Sequence, residues 1–259
     1  MKTNTFNGKT ALIIGGTSGM GKATAQALLE EGVNVIVASK TQQSIDDAVT
    51  ELSENGGKVT GLKVDLTDQG SVAEFIGELN NISEIDYLVN ASGIFRPKPF
   101  LDSSAEEYDA LLDLNRGFFI ITKAVAGKMK ENGKGGAIVN IGSYWSTHAI
   151  KGTPTAAYAM AKAGLHAFTQ QIAMELAEFK IRVNAIAPGV VETNVLTSLL
   201  GSADQATELY QSLSSIHPLG RNGQPNEIGA AIKYLLSEEA AWTTGAILPV
   251  DGGLSAGRS

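Results

Sequence analysis

Short apolar runs, rich in β-branched residues, alternate along this chain with longer stretches of helical character. The runs near Thr10–Ile14, Asn34–Ala38, Val59–Val64, Tyr87–Asn90, Ala137–Ile141, Arg182–Ala187 and Ala246–Pro249 read as strands. Near-continuous apolar strands separated by helices argue for a parallel sheet covered on both faces, with right-handed crossovers. The pattern therefore predicts an α/β fold: one doubly wound domain over residues 1–259, with a seven-stranded parallel sheet and helices on both faces. Ligands of such sheets bind beyond the carboxyl ends of the strands. Only from about Val190 to Pro225 does the alternation break into a long irregular stretch, apolar at 194–200 and 209–213 but interrupted by glycine and polar residues.

The first strand runs into Gly15-Gly16-Thr17-Ser18-Gly19-Met20-Gly21, and a helical stretch follows. Strand, glycine turn and helix form the context of a phosphate site, because the backbone can approach a pyrophosphate and the helix start offers unpaired N–H groups. A tight turn without a ligand is the plainer alternative.

Tyr158 and Lys162 stand four residues apart, with Ser143 fifteen residues before the tyrosine. On a helix that spacing puts phenol and ammonium on one face. A phenol ordinarily titrates near ~10, and a cation within about 4–6 Å favours its ionised form. Such a pair can exchange a proton at working pH, and a nearby serine hydroxyl can hold a substrate oxygen in line. Taken alone, the spacing also fits a surface pair snorkelling from a helix.

Together these segments resemble the short-chain dehydrogenase/reductase family, over almost the whole chain. The family's glycine pattern matches Ile14 to Gly21, and its adenine-contacting acid looks like Asp65, followed by Leu66. Its asparagine segment looks like Asn90-Ala91-Ser92-Gly93, and Asn115, Ser143, Tyr158 and Lys162 match its catalytic tetrad. Pro188-Gly189-Val190-Val191-Glu192-Thr193 matches the segment that closes over the nicotinamide. Segments 219–225 and 250–253 have the look of bacterial ketoreductases. The resemblance implies a Rossmann domain, a nicotinamide cofactor, a substrate lid at about 190–225 and a homotetramer. It gives Lys162 two tasks, lowering the Tyr158 pKa and bonding the nicotinamide ribose, and has Asn115 hold a water that resupplies the proton. Asn115 read without the resemblance is a polar helix residue bonded to its own backbone. Two positions depart from the pattern: Ile14 replaces a threonine that tethers the loop, and Ser92 replaces an alanine. A Ser92 hydroxyl restoring the tether is the expectation to test.

The second strand ends at Ser39-Lys40-Thr41, with no carboxylate until Asp46. A free 2′-hydroxyl is usually held by an acid at this place, whereas an ammonium pairs with a 2′-phosphate. The residues favour NADP(H); a solvated Lys40 serving both cofactors is the alternative. Ile94, Phe95, Tyr144, Trp145, His148, Ile150, Val190, Leu196 and Leu199 come from loops that would surround a substrate. Trp145 there suits a bulky or aryl ketone and equally suits core packing; His148 reads as a loop residue rather than a second acid.

The net charge of −7 without a basic run argues against nucleic acid. The absence of cysteine and the scattering of the three histidines argue against a metal site. No signal-peptide core or membrane-length apolar run is evident, so a cytoplasmic protein acting on a small carbonyl compound is expected. The expected function is NADPH-dependent ketone reduction. The alternatives are a 3-oxoacyl thioester reductase of fatty-acid synthesis, for which Arg96, Lys98 and Arg116 could meet an acidic carrier, and a catalytically silent nucleotide sensor.

Overall fold

The computed structural model describes residues 6–54 and 56–257. In chain order the regular elements are β1 (Thr10–Ile14), α1 (Gly19–Leu29), β2 (Asn34–Ser39), α2 (Gln42–Ser53), β3 (Val59–Lys63), α3 (Gln69–Leu79) and β4 (Tyr87–Asn90). They continue with α4 (Ala105–Asn132), β5 (Gly136–Ile141), α5 (Ala156–Leu176), β6 (Ile181–Pro188), α6 (Asn194–Leu200), α7 (Ala203–Leu213), α8 (Pro225–Leu236) and β7 (Ile247–Val250). The strands pair in parallel in the order β3-β2-β1-β4-β5-β6-β7, as expected of a doubly wound sheet. Order reverses between β1 and β4, which opens a crevice above their carboxyl ends.

Two cores follow from the two-residue period of a strand. Leu12 and Ile14 of β1 face Phe75, Phe118, Ile121 and Leu165 of α3, α4 and α5. Ala11 and Ile13 face Ala25, Leu28, Ile228 and Ile232 of α1 and α8 on the other side. The long helix α4 starts in a capping box, with Ser104 accepting from the Glu107 N–H and Glu107 accepting from the Ser104 N–H at 3.0 Å. It stops at Gly133, whose φ of 66° a side chain would resist.

The segment read as irregular is largely helical. α6 and α7 are short, meet at left-handed Gly201, and owe their order to packing: Leu196, Ala206 and Tyr210 join Tyr144, Trp145, Val190 and Leu254 in a third apolar cluster.

Candidate active site

The carboxyl end of β5 turns at Gly142 into Ser143, which is almost fully buried. Its Oγ accepts the Trp145 N–H at 3.2 Å and stands close enough to the Tyr158 hydroxyl to act on its titration. Tyr158 and Lys162 sit one turn apart on α5, which runs alongside. The Lys162 ammonium lies 5.9 Å from the Tyr158 ring centre and donates to Ile141 O at 2.7 Å. Burial pushes the Lys162 pKa down to about 8. The expected lowering of the Tyr158 pKa is not met here: burial raises it, and the nearby Ser143 hydroxyl only opposes that rise. The cation points at Ile141 O and acts on the phenol only from a distance. Asn115 on α4 donates to Ala161 O at 2.7 Å, so it joins α4 to the main chain of α5 rather than bonding its own helix.

The glycine turn lies at the same end of the sheet. Gly15 and Gly19 have φ of 84° and 50°, and a Cβ on Gly21 would run into Gly15 O. Ser18 caps α1 without spending its side chain on the helix, and the first turn carries no acid. Close backbone, free N–H groups and no opposing charge suit a pyrophosphate. The Ser92 Oγ stands 2.6 Å from where a Gly15 Cβ would be, so the loop runs beside Ser92 only because residue 15 has no side chain. Among the described residues no hydrogen bond joins the Ser92 hydroxyl to the loop, so the expected tether is not made.

The family model described as enoyl-(acyl carrier protein) reductase matches residues 15–255. The chain is 36% identical to a 3-oxoacyl-(acyl-carrier-protein) reductase of Thermotoga maritima over 251 residues, 96% of this chain and 98% of that one. It is equally 36% identical, over 256 residues, to a cyclopentanol dehydrogenase of Comamonas, again covering 96% and 98%.

The chain belongs to the short-chain dehydrogenase/reductase family.

It is therefore a nicotinamide-dependent oxidoreductase. Among solved structures, an actinorhodin polyketide ketoreductase variant with NADPH superposes with a TM-score of 0.87 at 30% identity, covering 98% of this chain and 99% of that one.

The residues predicted to meet the cofactor lie along the carboxyl edge of the sheet. Asn90 is fully buried and donates to Thr122 Oγ1 and Asn140 Oδ1 at 3.0 and 2.7 Å, so its amide serves the sheet. Leu66 and Val191 bury their side chains in the two cores. Thr41 caps the approach to α2, its hydroxyl donating to Ser44 Oγ, while Ser39 Oγ accepts from the same serine. Lys40 is held at 2.8 Å by Asp65. Burial alone would raise the Asp65 pKa, but hydrogen bonds from Lys40 and Thr67 outweigh it and the carboxyl titrates low. Across the crevice, Thr193 comes within 3.2 Å of where a Gly19 Cβ would stand, and Tyr210 OH holds both main-chain groups of Thr193.

The predicted pocket residues divide. Phe95 stands edge-on to Tyr158 at 5.2 Å and tilts against Trp145 at 6.4 Å. Tyr144, Trp145, Val190 and Leu196 are buried together, with Ile150 packed against them, whereas Leu199 is exposed. His148 is exposed and stacks on Tyr144 at 4.5 Å, a loop residue as expected.

Sequence reading passed over two histidines. His217 Nε2 accepts the Val190 N–H at 3.1 Å, behind the Pro188-Gly189 turn. His166 Nε2 accepts the Ser143 N–H at 3.4 Å. The available signal for His166 was its place eight residues after Tyr158, on the same helix face. Among the described residues no group of three or more metal-ligating side chains gathers, and no helix is long and apolar enough to cross a membrane.

Proposed function

We propose that this enzyme reduces a ketone to a secondary alcohol with NADPH. The observation that carries the reading is that Ser143, at the carboxyl end of β5, stands beside the Tyr158 hydroxyl, with Lys162 one turn further on. Gly15 to Gly21 would hold the pyrophosphate, Lys40 the 2′-phosphate, and Asp65 the adenine side. Asn90–Gly93, Pro188–Gly189, Val191 and Thr193 would flank the nicotinamide half. When bound, the dihydronicotinamide supplies a hydride to the carbonyl carbon. Ser143 Oγ orients the carbonyl oxygen and stabilises the charge that develops there. Tyr158 gives its proton to that oxygen, and a phenol kept protonated by burial suits this direction. Lys162 stabilises the phenolate left behind, and Asn115 steadies α5 beside it.

The aromatic wall of Phe95, Tyr144 and Trp145 favours a medium-sized or aryl ketone. Segment 190–225 acts as the lid, pinned through Tyr210. A homotetramer and a cytoplasmic location belong to the same proposal, on family grounds.

A second reading, a 3-oxoacyl thioester reductase, is favoured by the Thermotoga relative. Against it, Lys98 is already paired with Glu107 at 3.1 Å, so of the three bases only Arg96 and Arg116 would be left to meet an acidic carrier. NADPH oxidation by the purified protein, with NADH in parallel, over aryl ketones, β-ketoesters and acyl thioesters tests both. Turnover of simple ketones with NADPH supports the first reading, turnover of thioesters alone supports the second, and tight NADPH binding with no turnover would leave the silent sensor.

A further inference from the structure

Ser143 is useful only if its hydroxyl stays in line with Tyr158, and a serine in a loop has no ladder to hold it there. Its main chain is nevertheless bonded on both sides. The Ser143 N–H donates to His166 Nε2 at 3.4 Å, and the Ser143 carbonyl accepts from Ser146 Oγ at 2.6 Å. The two partners are themselves joined, with Ser146 Oγ 2.8 Å from His166 Nδ1. One direction of donation satisfies all three bonds. An Nε2 that accepts an amide proton must be bare, so a neutral ring carries its hydrogen on Nδ1. Nδ1–H then donates to Ser146 Oγ, and the Ser146 hydroxyl donates to Ser143 O.

Sequence supplies this arrangement in two places. Tyr158, Lys162 and His166 follow at intervals of four on α5, so one helix face presents the acid, the cation and the imidazole. Gly142 supplies the room, because a Cβ there would collide with the His166 ring. Burial first, and then the nearby Lys162 charge, push the His166 pKa down to about 4, which keeps the ring in the form the bonds require.

We infer that His166 is a positioning residue for the reaction: through Ser146 it closes a hydrogen-bonded ring that fixes Ser143 against Tyr158. The inference rests on the proposed role of Ser143. It separates His166 from an ordinary core histidine, whose loss would lower stability without acting through the serine.

A double-mutant cycle on the full-length enzyme tests it, with His166→Leu, Ser143→Ala and the pair, using whichever ketone is turned over. His166→Leu is expected to lower kcat by about 10- to 100-fold, the scale of a misplaced reacting group. NADPH affinity by fluorescence titration should stay within about threefold, and in the Ser143→Ala background the further loss should fall below about threefold. His166→Gln, which keeps a donor and an acceptor, should recover most of kcat. The same factor lost in both backgrounds overturns the inference alone, whereas full activity of Ser143→Ala overturns the proposed function and this inference with it. Should His166→Leu fail to fold, Ser146→Ala opens the ring from the other side and takes its place in the cycle. A readout independent of turnover is the ¹⁵N-edited spectrum of the imidazoles, assigned through the His166→Gln variant. A neutral Nδ1–H ring near pH 7 is expected, and an Nε2–H ring would overturn the inference.

Discussion

The Lys40 ammonium lies 2.8 Å from the Asp65 carboxylate, joining the ends of β2 and β3 at the adenosine side of the crevice. The lysine side chain is 69% exposed, so the pair contributes little to stability. In the proposed NADPH complex the pair would hold a long side chain near the 2′-phosphate. Lys40→Ala should weaken NADPH about 10- to 100-fold, the scale of one charge-assisted hydrogen bond, and NADH less than about threefold. Fluorescence titration with both cofactors measures it, and an equal loss for both would end the NADPH assignment.

Tyr158 is the only group proposed to deliver a proton to the substrate oxygen. Tyr158→Phe keeps the ring that packs edge-on against Phe95 and removes only the hydroxyl beside Ser143. Turnover should fall about 10²–10⁴-fold, the usual share of general acid catalysis, with NADPH affinity nearly unchanged. Turnover within about threefold of the parent enzyme would mean that another acid serves the site.

Lys162 ties activity to stability. Its pKa of about 8 lies below the ordinary value of ~10.4, because the charge is buried. Between those values the unfolded chain holds the proton and the folded chain does not, so this group favours folding more as pH rises from about 8 to about 10. Below that window both states are charged and the folded one bears the full desolvation cost. Lys162→Met removes the cost while giving up the bond to Ile141 O, worth about 1 kcal/mol. The variant should be inactive. In cofactor-free protein its Tm relative to the parent should be highest near neutral pH and decline towards pH ~10. A difference that is flat or grows with pH would show that the ammonium is not the strained group.

The strands were legible because a sheet covered on both faces demands apolar residues almost without interruption, and such runs stand out from helices. Their ends slipped by a residue or so, as at β7, expected over Ala246–Pro249 and found over Ile247–Val250. Ser143, Tyr158, Lys162 and the glycine turn were legible because their chemistry depends on local spacing. What stayed hidden depends on contacts between distant elements. α6 and α7 are ordered by burial against Trp145 and Val190 rather than by their own propensity. The tie between Lys40 and Asp65 crosses two strands, and His166 meets Ser143 from 23 residues away. The direction of the Lys162 ammonium, towards Ile141 O, is likewise set by the turn of β5 and not by the spacing on α5.

Tyr210 on α7 accepts the Thr193 N–H at 3.1 Å and donates to Thr193 O at 2.9 Å, so one hydroxyl clamps the residue that faces Gly19 across the crevice. Its ring sits in the cluster with Trp145 and Leu196, which couples the helical segment to the substrate side as well. Tyr210→Phe keeps that packing and frees both main-chain groups of Thr193. If the segment closes over the cofactor, the loss of about 1 kcal/mol per bond should raise the NADPH KM several-fold. Amide exchange should quicken at 193–200, while kcat at saturating NADPH holds within about twofold and Tm falls by several degrees. A variant with unchanged KM and unchanged exchange would make α6 and α7 a fixed wall of the pocket rather than its lid.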